Sequence, residues 1–321
     1  MKISDIGGEF ALISRITGKI DDSNVVFGVG DDAAVLKLDD RKYMLLTADM
    51  LVEDDHFDLK WSTPFQIGKK AMVSNISDIA AMGGIPKYAL VSASFSTDTE
   101  VEFVEELIRG MNDAGKKAGV NIIGGDTTHG KNLVINIALT GEVEKENLCL
   151  RSAANPGDII FVTGDLGKSK AGLELLRKNI KGYVKDNLEP NHRLEQGRKL
   201  AQIGIKAMID VSDGLASEVK HICEMSNVGA QVYKDKIPIS ENTRQSAKSL
   251  GKDPYDFALY GGEDFELVFT APKEKKQEIL EAVKDVTVVG EITEQDKGIW
   301  LVEKVKKKEF GSGFDHFSKD L

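Results

Sequence analysis

The spacing of apolar positions changes along the chain, and the changes mark its elements. Residues 9–16 carry apolar side chains at helical spacing and stop at Gly18, a helix with a glycine at its C-terminal end. Residues 25–27, 33–38 and 43–47 read as strands, the first two set around a Gly-Asp-Asp turn. Thr63-Pro64 opens a long helix that passes through Lys70, Asn75 and Asp78 and halts at Gly83-Gly84, ahead of Pro86. Proline suits the first helical turn, where its missing N–H has no partner to lose. A strand at 88–95, an amphipathic helix at 99–117, a short buried strand at 120–123 ending in Gly124-Gly125-Asp126, and a long alternating strand at 133–143 follow.

Polar residues 145–147 and the turn Asn155-Pro156-Gly157-Asp158 mark a boundary. Beyond it come strand 159–163, a glycine-rich turn with helix 171–178, a helix after Pro190, strand 207–209, helix 214–225, strand 265–269, helix 273–283 and strand 287–289. Interleaved strands and helices predict an α+β protein. We expect an N-terminal domain over 1–147 and a C-terminal α/β domain over 148–321.

Composition narrows the classes. The chain has 321 residues, 41% of them hydrophobic, enough apolar material for two cores. A net charge of -10 without a long Lys/Arg block argues against nucleic acid as a partner. The run Lys304-Val305-Lys306-Lys307-Lys308 reads as a solvated strand end. Cys149 and Cys223 lack CxxC partners, so neither zinc nor a disulfide framework is expected, and both read as small core residues. The start of the chain lacks a signal-peptide pattern, and no stretch approaches the roughly 20 apolar residues that span a bilayer. A cytoplasmic protein with no membrane partner is the expectation.

The candidate chemistry lies in where the aspartates fall. Asp31-Asp32 sit among small residues at a strand junction, Asp49 closes a strand after Thr47-Ala48, and Asp126 follows Gly124-Gly125. Asp210 and Asp213 flank Val211-Ser212 at a strand-to-helix transition, and Glu263-Asp264 follows Gly261-Gly262. Each alone also fits a plain turn or a helix cap. Asp78 is different, since it lies in a largely apolar helical run with Asn75 one turn before it and no Lys or Arg near. A buried carboxylate with no partner costs several kcal/mol, roughly, unless it binds a cation. If these carboxylates converge, their repulsion calls for cations. Oxygen donors suit magnesium, and magnesium on few carboxylates points to phosphates as its other ligands. The loop Gly164-Asp165-Leu166-Gly167-Lys168-Ser169 ends like a Walker A loop, but Val162 stands where its first glycine belongs. It can bind phosphate or serve as a turn.

In these residues the chain resembles the thiamine-monophosphate kinase family, within the wider aminoimidazole ribonucleotide synthetase-like ATP-binding superfamily. The resemblance is carried by Gly28–Val35, Thr47–Phe57, Asn75–Gly83, Gly124–Thr128, Arg151-Ser152 with Pro156-Gly157-Asp158, Asp210–Leu215, Gly261–Leu267 and Gly313-Phe314-Asp315-His316-Phe317, in the family's order over nearly the whole length. It implies direct in-line transfer from ATP to thiamine monophosphate, the last step of thiamine diphosphate synthesis, assisted by a magnesium cluster and without an assigned catalytic base. By resemblance Asp32, Thr47, Asp49, Asp78, Asp126, Asp210 and Asp213 hold metal. Gly125, Asp126, Arg151 and Ser212 meet the nucleotide, and His56, Glu263 and Phe314 meet thiamine monophosphate. Asp31, beside a matched ligand, is a further candidate. The resemblance also implies a homodimer, the N-terminal mixed sheets pairing into a shared barrel. Two departures stand out: Ala48 replaces a frequent hydroxyl, and Asp54-Asp55 replaces a stretch that is often glycine and an apolar residue. Selenophosphate synthetase, a sister enzyme, would be expected to carry a reactive Cys near its N-terminus, whereas the first Cys here is Cys149. Aminoimidazole ribonucleotide synthetases lack the Gly-Phe-Asp-His-Phe tail. A non-catalytic ion- or nucleotide-binding protein is the remaining alternative, although no EF-hand spacing is present.

Overall fold

The computed structural model describes residues 3, 6, 8–18 and 20–311. Helix α1 (Glu9–Ile16) precedes strands β1 (Val25–Phe27), β2 (Ala34–Lys37) and β3 (Lys42–Val52). Helix α2 (Pro64–Ala81), strand β4 (Ile85–Phe95), helix α3 (Val101–Ala118), and strands β5 (Asn121–His129) and β6 (Val134–Glu144) follow. These strands form one sheet in the order β1-β2-β3-β6-β4-β5, antiparallel except for the β4–β5 pair.

Period-2 alternation gives this sheet two unlike faces. Leu45, Leu51, Ile135, Ile137, Leu139, Ala89 and Val91 share the core with Ile67, Met72, Ile76 and Ile79 of α2. The opposite face carries Leu46, Met50, Tyr88 and Leu90 in the open. Helix α2 begins as its sequence predicts. Thr63 and Gln66 form a capping box and Pro64 occupies the first turn. Its packing against α3 leaves no space for side chains at the crossing, where a Cβ on Gly68 would lie 1.9 Å from the Leu107 carbonyl oxygen.

The second half runs through β7 (Ile159–Thr163), α4 (Lys168–Arg177), α5 (Lys185–Leu188), α6 (Leu194–Gln202), β8 (Ala207–Asp210), α7 (Leu215–Ser226) and β9 (Val228–Tyr233). It ends with α8 (Glu241–Leu250), α9 (Pro254–Tyr260), β10 (Leu267–Ala271), α10 (Lys276–Ala282), β11 (Val286–Glu294), β12 (Ile299–Glu303) and β13 (Lys306–Glu309). Its mixed sheet has the order β13-β12-β9-β11-β7-β10-β8. The α+β expectation holds. Both cysteines are buried and free, and β13 is exposed along its length. Among the described residues no helix is long and apolar enough to cross a membrane.

The two halves meet along α2. Its C-terminal end packs on α6, where Gly197 comes so close that a Cβ would sit 2.3 Å from the Ala80 carbonyl oxygen. Ala81 belongs to the core of the second sheet, and Phe265 of the second half inserts into the core of the first. Strand β3 is longer than the spacing predicts, so Asp49 lies within the strand rather than at its end. Strand β5 likewise continues through Gly124-Gly125-Asp126 to His129.

Candidate metal and nucleotide site

The last two turns of α2 bury a polar stripe, Ser74, Asn75 and Ser77, where an ordinary core helix would place aliphatic residues. Each reaches a carboxylate-bearing segment. Asn75 Oδ1 accepts from the Asp49 amide at 3.2 Å, and the Ser77 hydroxyl donates to Asp210 Oδ2 at 2.6 Å. The Thr47 hydroxyl of β3 donates to Asp78 Oδ2 at 2.5 Å. Helix α2, strand β3 and the end of β8 are thereby locked around one point.

At that point Asp32, Asp78 and Asp210, far apart in sequence, each offer an oxygen within 4.8 Å of the others. Burial pushes the carboxyls of Asp78 and Asp210 well above their ordinary range. The charges of Asp49, Asp210 and Asp32 add to this at Asp78, and those of Asp32 and Asp49 at Asp210. Burial also raises Asp49, with the charge of Asp32 adding to it and a hydrogen bond from Ser74 opposing. Arg151 offsets part of this charge, its guanidinium lying 2.5 Å from Asp32 Oδ1. The other Asp32 oxygen is buried without a hydrogen-bond partner. A dense set of oxygen donors, one of them orphaned, in mutual repulsion has the donor chemistry of a hard divalent cation site.

A cavity of about 290 Å³ adjoins the cluster, bordered by Asp49, His56, Ser74, Ser212, Asp213 and Glu263. Ser212 and Glu263 come from separate loops of the second half that touch there. The Glu263 amide donates to the Ser212 carbonyl at 2.8 Å, and Gly262 permits the approach, since a Cβ on it would lie 2.3 Å from the same oxygen. His56 Nδ1 accepts from the Val52 amide at 3.2 Å, which sets the orientation of the ring at the cavity edge.

The chain matches the family model for AIR synthase related protein, N-terminal domain, over residues 30–143, and that for the C-terminal domain over 155–302. It is 37% identical to thiamine-monophosphate kinase of Bacillus subtilis, covering 96% of this chain and 99% of the relative. The chain belongs to the thiamine-monophosphate kinase family. The Aquifex aeolicus thiamine-monophosphate kinase is 34% identical over 99% of this chain and all of its own. A solved structure of AaThiL complexed with AMPPCP and TMP superposes with a TM-score of 0.87 at 33% identity, covering 98% of this chain and 99% of that one. Structures of the hydrogenase maturation protein HypE, at 20–21% identity, share the fold alone.

Of the residues expected from the family resemblance, Asp32, Thr47, Asp49, Asp78, Arg151 and Asp210 meet at the cluster, and His56, Ser212, Asp213 and Glu263 border the cavity. Phe314 lies outside the described residues. Gly125 and Asp126 are not brought to the cluster. Asp126 pairs with Ser92, which pairs with Asn136, which pairs with Met50, so it lies in the row of Met50, on the face opposite Asp49. Asp31 turns both oxygens to backbone, accepting from the Arg151 amide at 3.0 Å and the Asp32 amide at 3.2 Å, so it shapes the loop. Ala48 points to the open face, away from the cluster, so a missing hydroxyl there costs the cluster nothing. Asp54 has φ +70, a conformation glycine adopts freely and Asp tolerates, so the loop keeps the shape that a glycine would give it.

The Gly164–Ser169 loop is a structural turn. Asp264, buried, accepts from the amides of Gly167 at 2.5 Å and Ser169 at 3.0 Å, filling the anion position at the start of α4. Lys168 and Arg193 both pair with buried Glu266. Sequence reading missed Lys70, which pairs with Glu263, and Glu218, whose Oε1 accepts from the Asp213 amide at 2.8 Å. Both sit at helical positions with no local sign of these contacts, Lys70 because Glu263 is 193 residues away and Glu218 because Asp213 lies in the turn before its helix.

Proposed function

We propose that this chain transfers the γ-phosphoryl group of ATP directly to the phosphate of thiamine monophosphate, forming thiamine diphosphate. The observation that carries the reading is the convergence of Asp32, Asp49, Asp78 and Asp210 beside a cavity bordered by His56, Ser212, Asp213 and Glu263. Relatives named thiamine-monophosphate kinase and a neighbour holding AMPPCP and TMP support it. In this reading the four aspartates, Thr47 and Asp213 hold magnesium, which when bound supplies positive charge against the phosphates. Arg151 pairs with a nucleotide phosphate, and Ser212 donates to the nucleotide. His56 and Glu263 orient the acceptor, Glu263 complementing its cationic ring. The acceptor's phosphate oxygen is already ionised near neutral pH, so alignment with the γ-phosphorus does the work that a general base does elsewhere.

Gly125 and Asp126 fit the same reading through a second copy. Their strand borders an open apolar face bearing Leu46, Met50, Tyr88 and Leu90. Pairing two such faces as a homodimer covers them and carries Asp126 toward the neighbour's nucleotide. In this reading residues 1–147 bind metal and nucleotide and dimerise, and 148–321 complete the cleft, adding Asp210 and Asp213 to the metal site. The test is a coupled assay offering ATP and magnesium with either thiamine monophosphate or formylglycinamidine ribonucleotide. Thiamine diphosphate formed from the first supports the reading, and turnover of only the second rejects it.

A further inference from the structure

Lys70 lies midway along α2, one turn before the polar stripe, with its side chain only 5% exposed. A buried ammonium is stable only where acceptors replace its water. Here two do: Glu263 Oε2 at 2.6 Å and the His56 carbonyl oxygen at 2.9 Å. The two acceptors come from opposite halves of the molecule, His56 from the loop after β3 and Glu263 from the loop before β10. Glu263 is also held at φ +64, a backbone conformation that a glutamate rarely adopts unaided.

We propose that Lys70 is a positioning residue for the acceptor: one ammonium group fixes both loops that grip thiamine monophosphate. The inference rests on the function proposed above. Lys70 holds Glu263 by one oxygen and leaves the other for the ligand. It also anchors the His56 backbone, so the imidazole stays where the Val52 amide orients it. Neither contact reaches Asp32, Asp78 or Asp210, so Lys70 makes no direct contact with the carboxylates at the nucleotide end of the site. A residue that only stabilised the fold would affect both substrates alike.

Steady-state kinetics of the full chain test this with Lys70→Met, Lys70→Gln and Lys70→Arg, alongside the affinity for a non-hydrolysable ATP analogue. Lys70→Met should raise KM for thiamine monophosphate by about tenfold or more while KM for ATP stays within about twofold. Lys70→Arg, which keeps the charge, should recover most of the loss. Lys70→Met should add little in a Glu263→Gln background, because the pair acts as a unit. Lys70→Gln is read by the same comparison and covers a failure of Lys70→Met to fold. Equal increases in both KM values, an unchanged KM for thiamine monophosphate, or additive effects of Lys70 and Glu263 overturn the proposal. A wild-type chain that makes no thiamine diphosphate overturns the function instead, so the two failures are told apart.

Discussion

Asp78 shows at residue scale how this site trades stability for chemistry. Its carboxyl is buried among three others and its ordinary acidity is suppressed, first by burial and then by their charges. Asp78→Asn keeps the shape and the Thr47 contact but removes the repulsion. The variant should therefore lose at least about a hundredfold in turnover and unfold less readily without metal, by about 1 kcal/mol or more. Magnesium should raise the melting temperature of the wild type more than that of the variant. Full activity in Asp78→Asn, or a lower melting temperature without metal, contradicts the metal role. The sequence disclosed Asp78 because an aspartate in an apolar helical run needs a cation or a hydrogen-bonding partner once the helix is buried. It disclosed Lys70 and Glu218 not at all, because a lysine or glutamate within a helix reads as solvated until its partner, 193 residues away for Lys70, is brought against it.

At the scale of elements, the start and stop signals of α2 were plain in Thr63-Pro64 and Gly83-Gly84, and the helix spans Pro64–Ala81. Strand β3 runs past the expected end because Ala48, Asp49 and Met50 look like a turn locally while the ladder to β6 continues through Val52. Tertiary pairing overrides propensity there. Strands β9 and β12 and helices α5, α8 and α9 lacked a periodicity strong enough to stand out, whereas the lysine run at 304–308 read as the strand end that β13 supplies. Glycine pairs carried a meaning that spacing alone could not give. Gly68 and Gly110 let α2 and α3 touch backbone to backbone, a Cβ on Gly110 lying 2.0 Å from the Phe65 carbonyl oxygen. Gly68→Ala should force the helices apart and destabilise the chain by about 1–3 kcal/mol. Denaturant melts measure it, and a neutral result would mean that the helices do not meet at this distance.

For the whole molecule, the two halves are tied outside the site by Arg198 of α6, which donates to the Gly83 carbonyl at 2.5 Å and to Glu144 Oε2 at 3.0 Å. Burial pushes the Glu144 carboxyl up, but hydrogen bonds from Asn147, its own amide and Arg198 outweigh it, holding it at about 2 against an ordinary 4.5. A depressed carboxyl stabilises the fold above its unfolded value. That contribution should be complete above pH 4.5 and fade as pH falls toward 2. Glu144→Gln should lower the melting temperature at neutral pH and flatten its acid dependence in that window. An unchanged acid profile would remove Glu144 from the link. On the open sheet face, Leu90→Arg should give a monomer by light scattering and lose turnover together with dimerisation. A monomeric wild type would refute the pairing. The fold class and the order of site segments were legible because each is written locally. Which face Asp126 occupies was not, because it depends on the register of β5 against β4.

Transfer of the label from γ-³²P ATP tests the central claim most directly. With magnesium and thiamine monophosphate present, label should appear in the terminal phosphate of thiamine diphosphate and stay in ATP once the metal is chelated. Label released only as free phosphate, or transferred equally well without divalent cations, would contradict it.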